Sequence, residues 1–463
     1  MPDLSLKFMK QFYKNHKKEI FLFILAFSFE LLIIFSLIRI NGIEIFFRGD
    51  GRDYQNLANN IIQHQMLAIT AQPPFLPTSF RPPIYPFWLA MVYLIFKSFV
   101  PAIFIGAAVF ALSTPLAFLI GKQIFSEKNA MIGAIIFGLE PWALFQSGFI
   151  AAEQIFMPVF LLCIYFFCLY LKHGRTPCLY WASFLLAITA LIRPISLFFI
   201  LILIFFVFIF EFKGSFLRPF KISVLTFLIF IMILSPWFVR NKLILNSWQF
   251  SSASGISIFN DYFMLGRYLG EIGPREDLYE RAKQVTGADN DINAITTVEN
   301  SKKLHDFAVK NIILHPYSFL KMQIIKGLPM FLVKNSYGNI LFDLGLSSNG
   351  LKPSEIFNKN LTDLWPFIKN LPLSSNILIF ISLFWPIIIS LSIFGIYEQI
   401  KINRRNLPIW FLIFWILYFT FLTALGRDIS RYKLTINAPL FMLAVAGFYE
   451  IKKRFLTFSY KND

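Results

Sequence analysis

The sequence is poor in charge: charged residues make up only 15% of its 463 residues, while hydrophobic residues make up 57%. A soluble domain is nearer ~25% charged and ~45–50% apolar. The shortage of charge therefore excludes a soluble enzyme, and the apolar excess excludes a disordered chain. A chain of this length can supply about ten membrane-crossing helices of about 20 residues each and still leave a sizeable extramembrane part.

Several familiar chemical signatures are also missing. The three cysteines give neither a disulfide framework nor zinc-ligand spacing, and the five histidines show no ligand spacing. No P-loop, GxSxG or HExxH motif occurs, so nucleotide hydrolysis and zinc proteolysis have no support. No internal repeat or low-complexity linker stands out, which favours a single membrane domain over residues 1–463.

The net charge is strongly positive, +17 from 43 Lys and Arg against 26 Asp and Glu. In a soluble protein this excess would suggest a nucleic-acid partner. No basic module interleaved with aromatic residues is present here, so we expect no nucleic acid. Cytoplasmic loops of membrane proteins collect Lys and Arg, and anionic membrane lipid attracts them.

The apolar runs predict an all-α, multi-pass membrane protein with about ten transmembrane helices. The first run follows a Lys-rich N-terminus, is long for a signal peptide and lacks a small-residue cleavage site, so we expect a retained helix. The runs lie at about 20–38, 100–121, 129–147, 154–171, 179–193, 194–212, 219–238, 376–396, 407–425 and 433–451. A further run at 84–97 is short and Pro-rich, and we expect it to lie at the interface.

The basic turns orient these spans. If 84–97 does not cross, the turns at 122–128, 172–175, 213–221, 401–405 and 452–454 all fall on one side, which the positive-inside rule makes cytoplasmic. Both termini are then cytoplasmic, and we expect a bacterial plasma (inner) membrane location. The outer face receives the loop 39–100, the turns 147–153 and 426–432, and the long loop 240–375, whose segment 318–333 is apolar enough to enter the bilayer.

Ionisable residues gather on the predicted outer face, where charge at the mouth of a bundle is costly and usually functional. Asp50 and Asp53 lie in the first outer loop, and Glu153 begins the fourth span. The arginines on the same side are Arg193, Arg240 and Arg431. Carboxylates can deprotonate a nucleophile or hold a metal, and arginine forks bind phosphate. The pattern indicates a reaction on a phosphate-bearing substrate.

Each of these residues also has a purely structural interpretation. Asp50 could cap a helix, with Asp53 supporting the helix dipole. Glu153 could be a helix-start residue, and the arginines could be snorkelling anchors. Glu30 and Glu140 fall inside apolar runs, where Glu30 in particular needs a partner or a proton.

A set of short motifs occurs in a fixed order along the chain. The first is an acid followed four residues later by Tyr, as Asp50 and Tyr54 in DGRDYQNLANNI. The others are RPPxYP at 81–86, SGxxxxE at 147–153, RP at 193–194, PWxxRN at 236–241, HP at 315–316 and RY at 431–432. The ordered set, over roughly 40–450, resembles the GT-C superfamily of polytopic glycosyltransferases. Within it, the closest likeness is to the family 39-like branch of protein O-mannosyltransferases and lipid A aminoarabinose transferases.

This resemblance implies a donor sugar linked to a polyprenyl phosphate. It assigns Asp50 as the general base and Glu153 as the second acid. The sequence departs from the family at Gly51, where a second acid often follows the first, so the division of work between Asp50 and Asp53 stays open. Glu153 also stands where Asp is common.

The expected reaction inverts the anomeric centre, as a hydroxyl or amine of a glycan, lipid or protein acceptor attacks opposite the leaving phosphate. The expected phosphate ligands are Arg193, Arg431, Arg81 and Arg240. The expected pocket tyrosines are Tyr54, Tyr85 and Tyr432. No cofactor is required, although a divalent cation between Asp50 and Glu153 is allowed.

Two other classes of protein remain open. An O-antigen polymerase or ligase also has about ten spans, a large outer loop and outer arginines, but it does not need the first-loop acid. Replacement of Asp50 therefore separates the two enzymes. A transporter is expected to show inverted repeats and polar sites at the bilayer midplane, and Glu30 is the one feature that favours it.

Overall fold

The computed structural model describes residues 2–273, 275–288, 292–328, 337–346, 373–423 and 429–462. Within these ranges the chain is mostly helical, and the β pairing is limited to an isolated bridge between Ala68 and Pro77. The all-α fold class predicted from the sequence is confirmed.

The first half of the chain folds into helices α1 to α11. They are α1 Pro2–Asn41, α2 Asp50–His64, α3 Ile84–Phe96, α4 Val100–Ala111, α5 Ser113–Ile124, α6 Glu127–Gly138, α7 Pro141–Ser147, α8 Glu153–His173, α9 Thr176–Ile192, α10 Phe199–Glu211 and α11 Leu217–Leu245. Short 3₁₀ helices occur at Ile43–Phe47 and Pro194–Ser196.

The second half begins with shorter helices and ends with long ones. They are α12 Ala253–Leu269, α13 Leu278–Thr286, α14 Ile292–Ile295, α15 Val298–Leu314, α16 Pro316–Met322, α17 Tyr337–Asp343, α18 Leu373–Ile402, α19 Leu407–Thr423 and α20 Ile429–Asn462. A π-helical turn at Gln323–Gly327 follows α16.

All the predicted spans correspond to helices of the structure. Among the described residues, seven helical segments are long and apolar enough to cross a membrane: Lys14–Asn41, Val100–Ile124, Glu153–His173, Pro194–Glu211, Leu217–Leu245, Leu383–Ile402 and Arg431–Arg454. The pair α6 and α7, bent by 56°, adds an eighth if it is one broken span. The other two predicted spans form the 17-residue helices α9 and α19. The chain is an integral membrane protein, and the count of ten crossings stays a prediction.

The two remaining apolar segments form short helices. Helix α3 has 13 residues, and at ~1.5 Å per residue it is about 20 Å long. The hydrocarbon core is ~30 Å thick, so α3 alone cannot cross it, which agrees with the interfacial prediction for 84–97. The predicted bilayer-dipping segment 318–333 forms α16 and the π-helical turn, and its residues 329–333 lie outside the described residues.

The two predicted outer segments in the second half of the chain are only partly described. Helix α11 continues past the predicted start of the long loop, to Leu245, and helices α12–α17 occupy much of that loop between Ala253 and Asp343. Residues 347–372 of the loop lie outside the described residues, as do residues 426–428 of the turn 426–432.

Aromatic side chains fill the centre of the bundle around α8. The Phe160 ring lies 5.4 Å from the Phe199 ring, 5.6 Å from Trp415 and 5.3 Å from Phe419, each edge-on. These rings come from α8, α10 and α19, and all are fully buried. Because lipid tails are as apolar as these side chains, close packing and not the hydrophobic effect must hold the helices together.

Two glycines bring α18 and α20 into close contact. A Cβ atom added to Gly447 would collide with the Leu391 carbonyl oxygen, and one added to Gly395 would collide with the Leu443 carbonyl oxygen. The opposing atoms belong to the backbone, so they cannot move aside as a flexible side chain would. This contact fixes the position of α20, which carries Arg431 near its start.

We expect Gly447→Val to destabilise the folded protein by about 1–3 kcal/mol or more, because the added side chain overpacks this helix contact. The measurement is the thermal unfolding midpoint and the yield of monodisperse protein after detergent extraction. The neighbouring variant Phe448→Ala is the control, since that ring is 52% exposed. A normal yield and midpoint for Gly447→Val would show that α18 and α20 do not touch at this point.

Two groups of ion pairs mark the two ends of the bundle. At one end, Lys18 of α1 pairs with Glu127 at 2.8 Å, and Arg218 of α11 pairs with Glu211 at 2.8 Å. The other end is where α1 ends and α2, α8 and α20 begin. The candidate site residues of the first outer loop and of α8 and α20 all belong to this second end.

Candidate active site

Asp50 lies in the first turn of α2, directly after a sharp turn of the backbone. Gly49 precedes it with a φ of 62°, a conformation that favours glycine. Gly49 is the N-cap residue and no side chain caps the helix. The Asp50 carboxylate instead accepts a hydrogen bond from Arg81 Nη2 at 2.6 Å and pairs with Arg431 Nη1 at 2.7 Å. The interpretation of Asp50 as a helix cap is therefore wrong.

Glu153 begins α8 and is 1% exposed. Arg193 and Arg431 both donate to its carboxylate, and Arg431 Nη2 lies 2.7 Å from Oε2. Arg193 stands where α9 ends and the backbone becomes extended before Pro194. A buried carboxylate is costly unless it is paired, and these two arginines supply the pairing.

The carboxylates and arginines form one continuous network in which opposite charges alternate. Arg431 is its centre, because its guanidinium contacts both Asp50 and Glu153. At one side, Arg81 joins Asp50 to Asp53, with Nη2 2.6 and 3.0 Å from their carboxylates. The order is Asp53, Arg81, Asp50, Arg431, Glu153 and Arg193. Positive and negative side chains are equal in number, so the network is neutral as a whole.

The two aspartates of the network differ in proton affinity. Burial raises the pKa of Asp50, but Arg431 and Arg81 outweigh burial and hold that pKa well below its ordinary value. For Asp53, burial outweighs the attraction of Arg81, and the pKa lies above its ordinary value. Asp50 is therefore the more firmly ionised carboxylate.

The predicted pocket tyrosines support the arginines. The Arg81 guanidinium lies 5.3 Å from the centre of the Tyr54 ring, and that of Arg193 lies 5.2 Å from the Tyr432 ring, within cation–π range. Tyr85 packs edge-on against Tyr54, with ring centres 4.5 Å apart. Burial raises the pKa of Tyr54 to about 12, so its hydroxyl keeps its proton at physiological pH.

Gln154 holds Tyr85 in place, and this role was not predicted from the sequence. The Tyr85 hydroxyl donates to Gln154 Oε1 at 2.8 Å, and Gln154 Nε2 donates to the Ser147 carbonyl at 2.8 Å. Gln154 follows Glu153 in the sequence, but the sequence does not indicate which residue its amide contacts.

Arg240 lies apart from this network. Its Nη1 donates to the Thr78 carbonyl and to the Asn241 side chain, both at 2.9 Å. Its guanidinium lies 5.0 Å from the Trp237 ring. These contacts tie α11 to the loop that precedes Arg81, and a role of Arg240 in binding phosphate stays a prediction.

The position between Asp50 and Glu153 is taken by the guanidinium of Arg431. That cation supplies the positive charge that two neighbouring carboxylates need. In the part of the chain that the structure describes, no group of three or more His, Cys, Asp and Glu side chains could hold a metal ion. The donor set around the two carboxylates thus fits a guanidinium, and the divalent cation allowed by the sequence finds no further ligand there.

A cavity of about 430 Å³ opens beside Asp50. Three parts of the chain form its walls: the turn 48–51 with Arg431, the segment 142–151, and one side of α17. The side chains from α17 are Asn339, Phe342 and Asp343. Asp53 and Glu153 do not line this cavity, so Asp50 is the network carboxylate that a ligand within it would meet.

An ion pair that was not predicted closes one side of the cavity. Arg48 Nη1 donates to Asp343 at 3.0 Å, and Asn41 Nδ2 donates to the Asp343 carbonyl at 2.6 Å. Arg48 and Asp343 are 295 residues apart in the chain. Asp343 stands in the long loop with no motif around it, so no local pattern could have indicated this contact.

The start of α17 is held by a second polar cluster. Glu140, at the break between α6 and α7, accepts from the Tyr337 hydroxyl at 2.7 Å, and Trp385 Nε1 donates to the same hydroxyl at 2.9 Å. Lys433 Nζ lies 4.0 Å from the centre of the Trp385 ring. The sequence indicated that Glu140 is buried, and the structure supplies its partner.

Comparison with known proteins gives a family match and a fold match. Residues 80–239 match the model of the family described as dolichyl-phosphate-mannose-protein mannosyltransferase. These residues include Arg81, Tyr85, Glu153 and Arg193 of the site. No match was found among curated protein sequences.

Among solved structures, the chain is similar to the archaeal oligosaccharyltransferase AglB from Archaeoglobus fulgidus in complex with an inhibitory peptide and a dolichol-phosphate. The TM-score is 0.54 at 14% identity, over 97% of this chain and 52% of AglB, so the chain spans about half the length of that protein. ArnT from Cupriavidus metallidurans bound to undecaprenyl phosphate matches 92% of this chain and 77% of that chain at 14% identity, with a TM-score of 0.38.

The family match and the fold match agree with the motifs found in the sequence. The matched family belongs to the branch that the ordered motifs resemble, and the AglB match extends the shared helical fold over nearly the whole chain. The family match over residues 80–239 and the shared helical fold both agree with the resemblance of the ordered motifs to the GT-C superfamily of membrane glycosyltransferases.

Proposed function

We propose that the chain transfers a sugar from a polyprenyl-phosphate donor to an acceptor hydroxyl or amine at the outer face of a plasma membrane. The observation that carries this proposal is the network centred on Arg431, in which Asp50 faces a cavity of about 430 Å³. AglB, which shares the fold, was solved with a dolichol-phosphate, and this supports a lipid-phosphate donor here.

The arginines of the network are the proposed ligands of the donor phosphate. The side chains of Arg193, Arg431 and Arg81 keep 13%, 16% and 20% of their surface exposed. A phosphate that binds them competes with the carboxylates for the same N–H donors. As the bond between sugar and phosphate breaks, negative charge grows on the phosphate, and the guanidinium groups stabilise it.

Donor binding is also expected to raise the proton affinity of Asp50, the proposed base. Arg431 and Arg81 hold the pKa of Asp50 low, despite burial, and so make Asp50 a weak base while both remain in contact with it. An arginine drawn toward the donor phosphate weakens that hold, and the proton affinity of Asp50 then rises. The base therefore becomes effective when the donor is in place.

In the transfer step, the acceptor oxygen or nitrogen forms a bond to the anomeric carbon. The bond from that carbon to the phosphate oxygen breaks, and its electron pair leaves with the polyprenyl phosphate. The proton of the acceptor passes to Asp50. Attack from the side opposite the phosphate inverts the anomeric centre, and Glu153 acts as a positioning residue that holds Arg193 and Arg431.

The proposed orientation places both termini in the cytoplasm. The pairs Lys18–Glu127 and Arg218–Glu211 lie at the end of the bundle that carries the basic turns. Basic turns favour the cytoplasmic side. The network at the opposite end then faces outward, where the acceptor is a glycan, lipid or protein.

The test is sugar transfer by membranes that contain the protein, with a radiolabelled polyprenyl-phosphate sugar pool as donor. For Glu153→Gln we expect kcat to fall about 10²-fold, because Arg193 and Arg431 lose the charge that positions them. We expect the donor KM not to rise, since the two arginines then carry one uncompensated positive charge.

Glu398→Gln is the matched control for this measurement. Glu398 is also a buried glutamate paired with an arginine, Arg454, but at the other end of the bundle. Its kcat and KM should stay near wild type. No sugar transfer by wild-type membranes from any polyprenyl-phosphate sugar in the pool would count against the proposed function.

A further inference from the structure

The cavity beside Asp50 has a composition that indicates its ligand. Its volume of about 430 Å³ lies within the ~300–1,000 Å³ typical of pockets for small ligands. We propose that it binds a neutral, hydroxyl-bearing sugar ring of the acceptor, so that the chain glycosylates a glycan or glycolipid. This inference rests on the proposed function, because it takes Asp50 as the base that meets the acceptor.

The charges that line the cavity cancel in pairs. Arg48 lies against Asp343, and Arg431 lies 2.7 Å from Asp50. Arg48 and Arg431 are the two arginines among the lining residues, and Arg193 lies outside the cavity. The cavity therefore has no excess charge to attract an anionic group, and Arg431 is the one proposed phosphate ligand among its lining residues.

One wall of the cavity is aromatic. Trp142, Phe145 and Phe149 follow one another along α7 and the turn after it, with ring centres 5.4 and 4.9 Å apart. Phe342 of α17 also lines the cavity. Flat apolar rings suit the C–H face of a sugar ring, whereas their negative faces do not attract an anion such as phosphate.

The polar groups around these rings suit hydroxyl groups. Asn339 and Gln146 each offer both a donor and an acceptor, and the Arg48 and Asp343 pair offers one of each. A ligand with several hydroxyls can both donate to and accept from such groups, as a sugar does.

The position of Asp50, the proposed base, indicates that the sugar in this cavity belongs to the acceptor and not to the donor. A general base must lie within about 2.6–3.2 Å of the oxygen it deprotonates. Asp50 lines the cavity, so a hydroxyl of a ring bound there can reach it. Arg193 and Glu153 lie on the other side of Arg431, outside the cavity, and the proposed function leaves that side for the donor phosphate.

The first experiment measures binding without any need for transfer. Asn339→Cys in a Cys178→Ser background is labelled with a water-soluble maleimide, because Cys163 and Cys168 are buried. The competitors are methyl glycosides of glucose, galactose, mannose and N-acetylglucosamine. We expect at least one glycoside to slow labelling several-fold in a saturable manner, while inorganic phosphate and a serine tripeptide do not.

Leu346→Cys is the control cysteine, since Leu346 is exposed close to α17 and does not line the cavity. Its labelling should not respond to any glycoside. The proposal is overturned if no glycoside slows the labelling of Asn339→Cys, or if the peptide or phosphate slows it equally. Both results can be obtained even if wild-type membranes show no transfer, so the two proposals fail separately.

The second experiment distinguishes an acceptor sugar from a donor sugar. Asn339→Leu keeps a side chain of similar size but removes an amide that lines the cavity, which corresponds to a loss of about 3- to 10-fold in affinity for one hydrogen bond. We expect the KM for an oligosaccharide acceptor to rise by that factor, with the donor KM and the hydrolysis of donor by water unchanged. A rise in the donor KM instead would assign the cavity to the donor sugar and overturn the acceptor proposal.

Discussion

Asp50→Asn is expected to lower sugar transfer by about 10²–10⁴-fold, the usual contribution of a positioned general base. The amide cannot accept the proton of the acceptor, although its shape allows the variant to keep the contact with Arg81. The measurement is kcat for transfer from the radiolabelled polyprenyl-phosphate sugar pool, at equal amounts of folded protein.

Asp53→Asn is the matched comparison, because Asp53 lies on the same helix turn and also contacts Arg81. Asp53 does not line the cavity, so its replacement should cost much less than that of Asp50. Equal losses in the two variants would contradict the division of work proposed here. Undiminished transfer by Asp50→Asn would favour an enzyme of the O-antigen ligase type.

Arg431→Gln is expected to cause the largest loss of folded protein. Arg431 separates Asp50 from Glu153, and without it two largely buried carboxylates face each other. Removing one partner of a buried ion pair costs ~3–5 kcal/mol. The measurements are the thermal unfolding midpoint and the monodisperse yield in detergent, and both should fall well below those of wild type.

The double variant Arg431→Gln with Glu153→Gln tests the cause of that loss. If charge repulsion is responsible, removing the Glu153 charge should restore much of the yield of folded protein. Sugar transfer should stay absent, because Arg431, a proposed ligand of the donor phosphate, is still missing. A yield that stays equally low in the double variant would show that Arg431 acts through packing. Arg454→Gln, at the opposite end of the bundle, serves as the control for loss of a single arginine.

The sequence was sufficient to predict the fold class and the end of the bundle where the candidate site residues gather. The helices follow from apolar runs. Asp50 and Arg193 stand at helix ends next to glycine and proline, where local pattern is informative. Their assembly into one network with Arg431 follows from how the helices pack, which no local pattern encodes.

Residues that act through distant partners were not predictable. Glu140 could be recognised as buried, but its partner Tyr337 lies 197 residues away. No sequence motif surrounds Asp343, and its importance is recognised only from the structure, in which Arg48 donates to its carboxylate. The choice between Asp50 and Asp53 also required the structure, since it depends on which carboxylate faces a cavity.

The position of Arg431 near the start of α20 has a consequence for biosynthesis. Asp50 and Glu153 enter the membrane early in translation, whereas α20 is the last described helix of the chain. Until α20 is inserted, the two carboxylates lack the cation that joins them, and the nascent protein holds only part of the proposed catalytic network. On the proposed mechanism, a chain that ends before residue 431 is therefore expected to be inactive in sugar transfer.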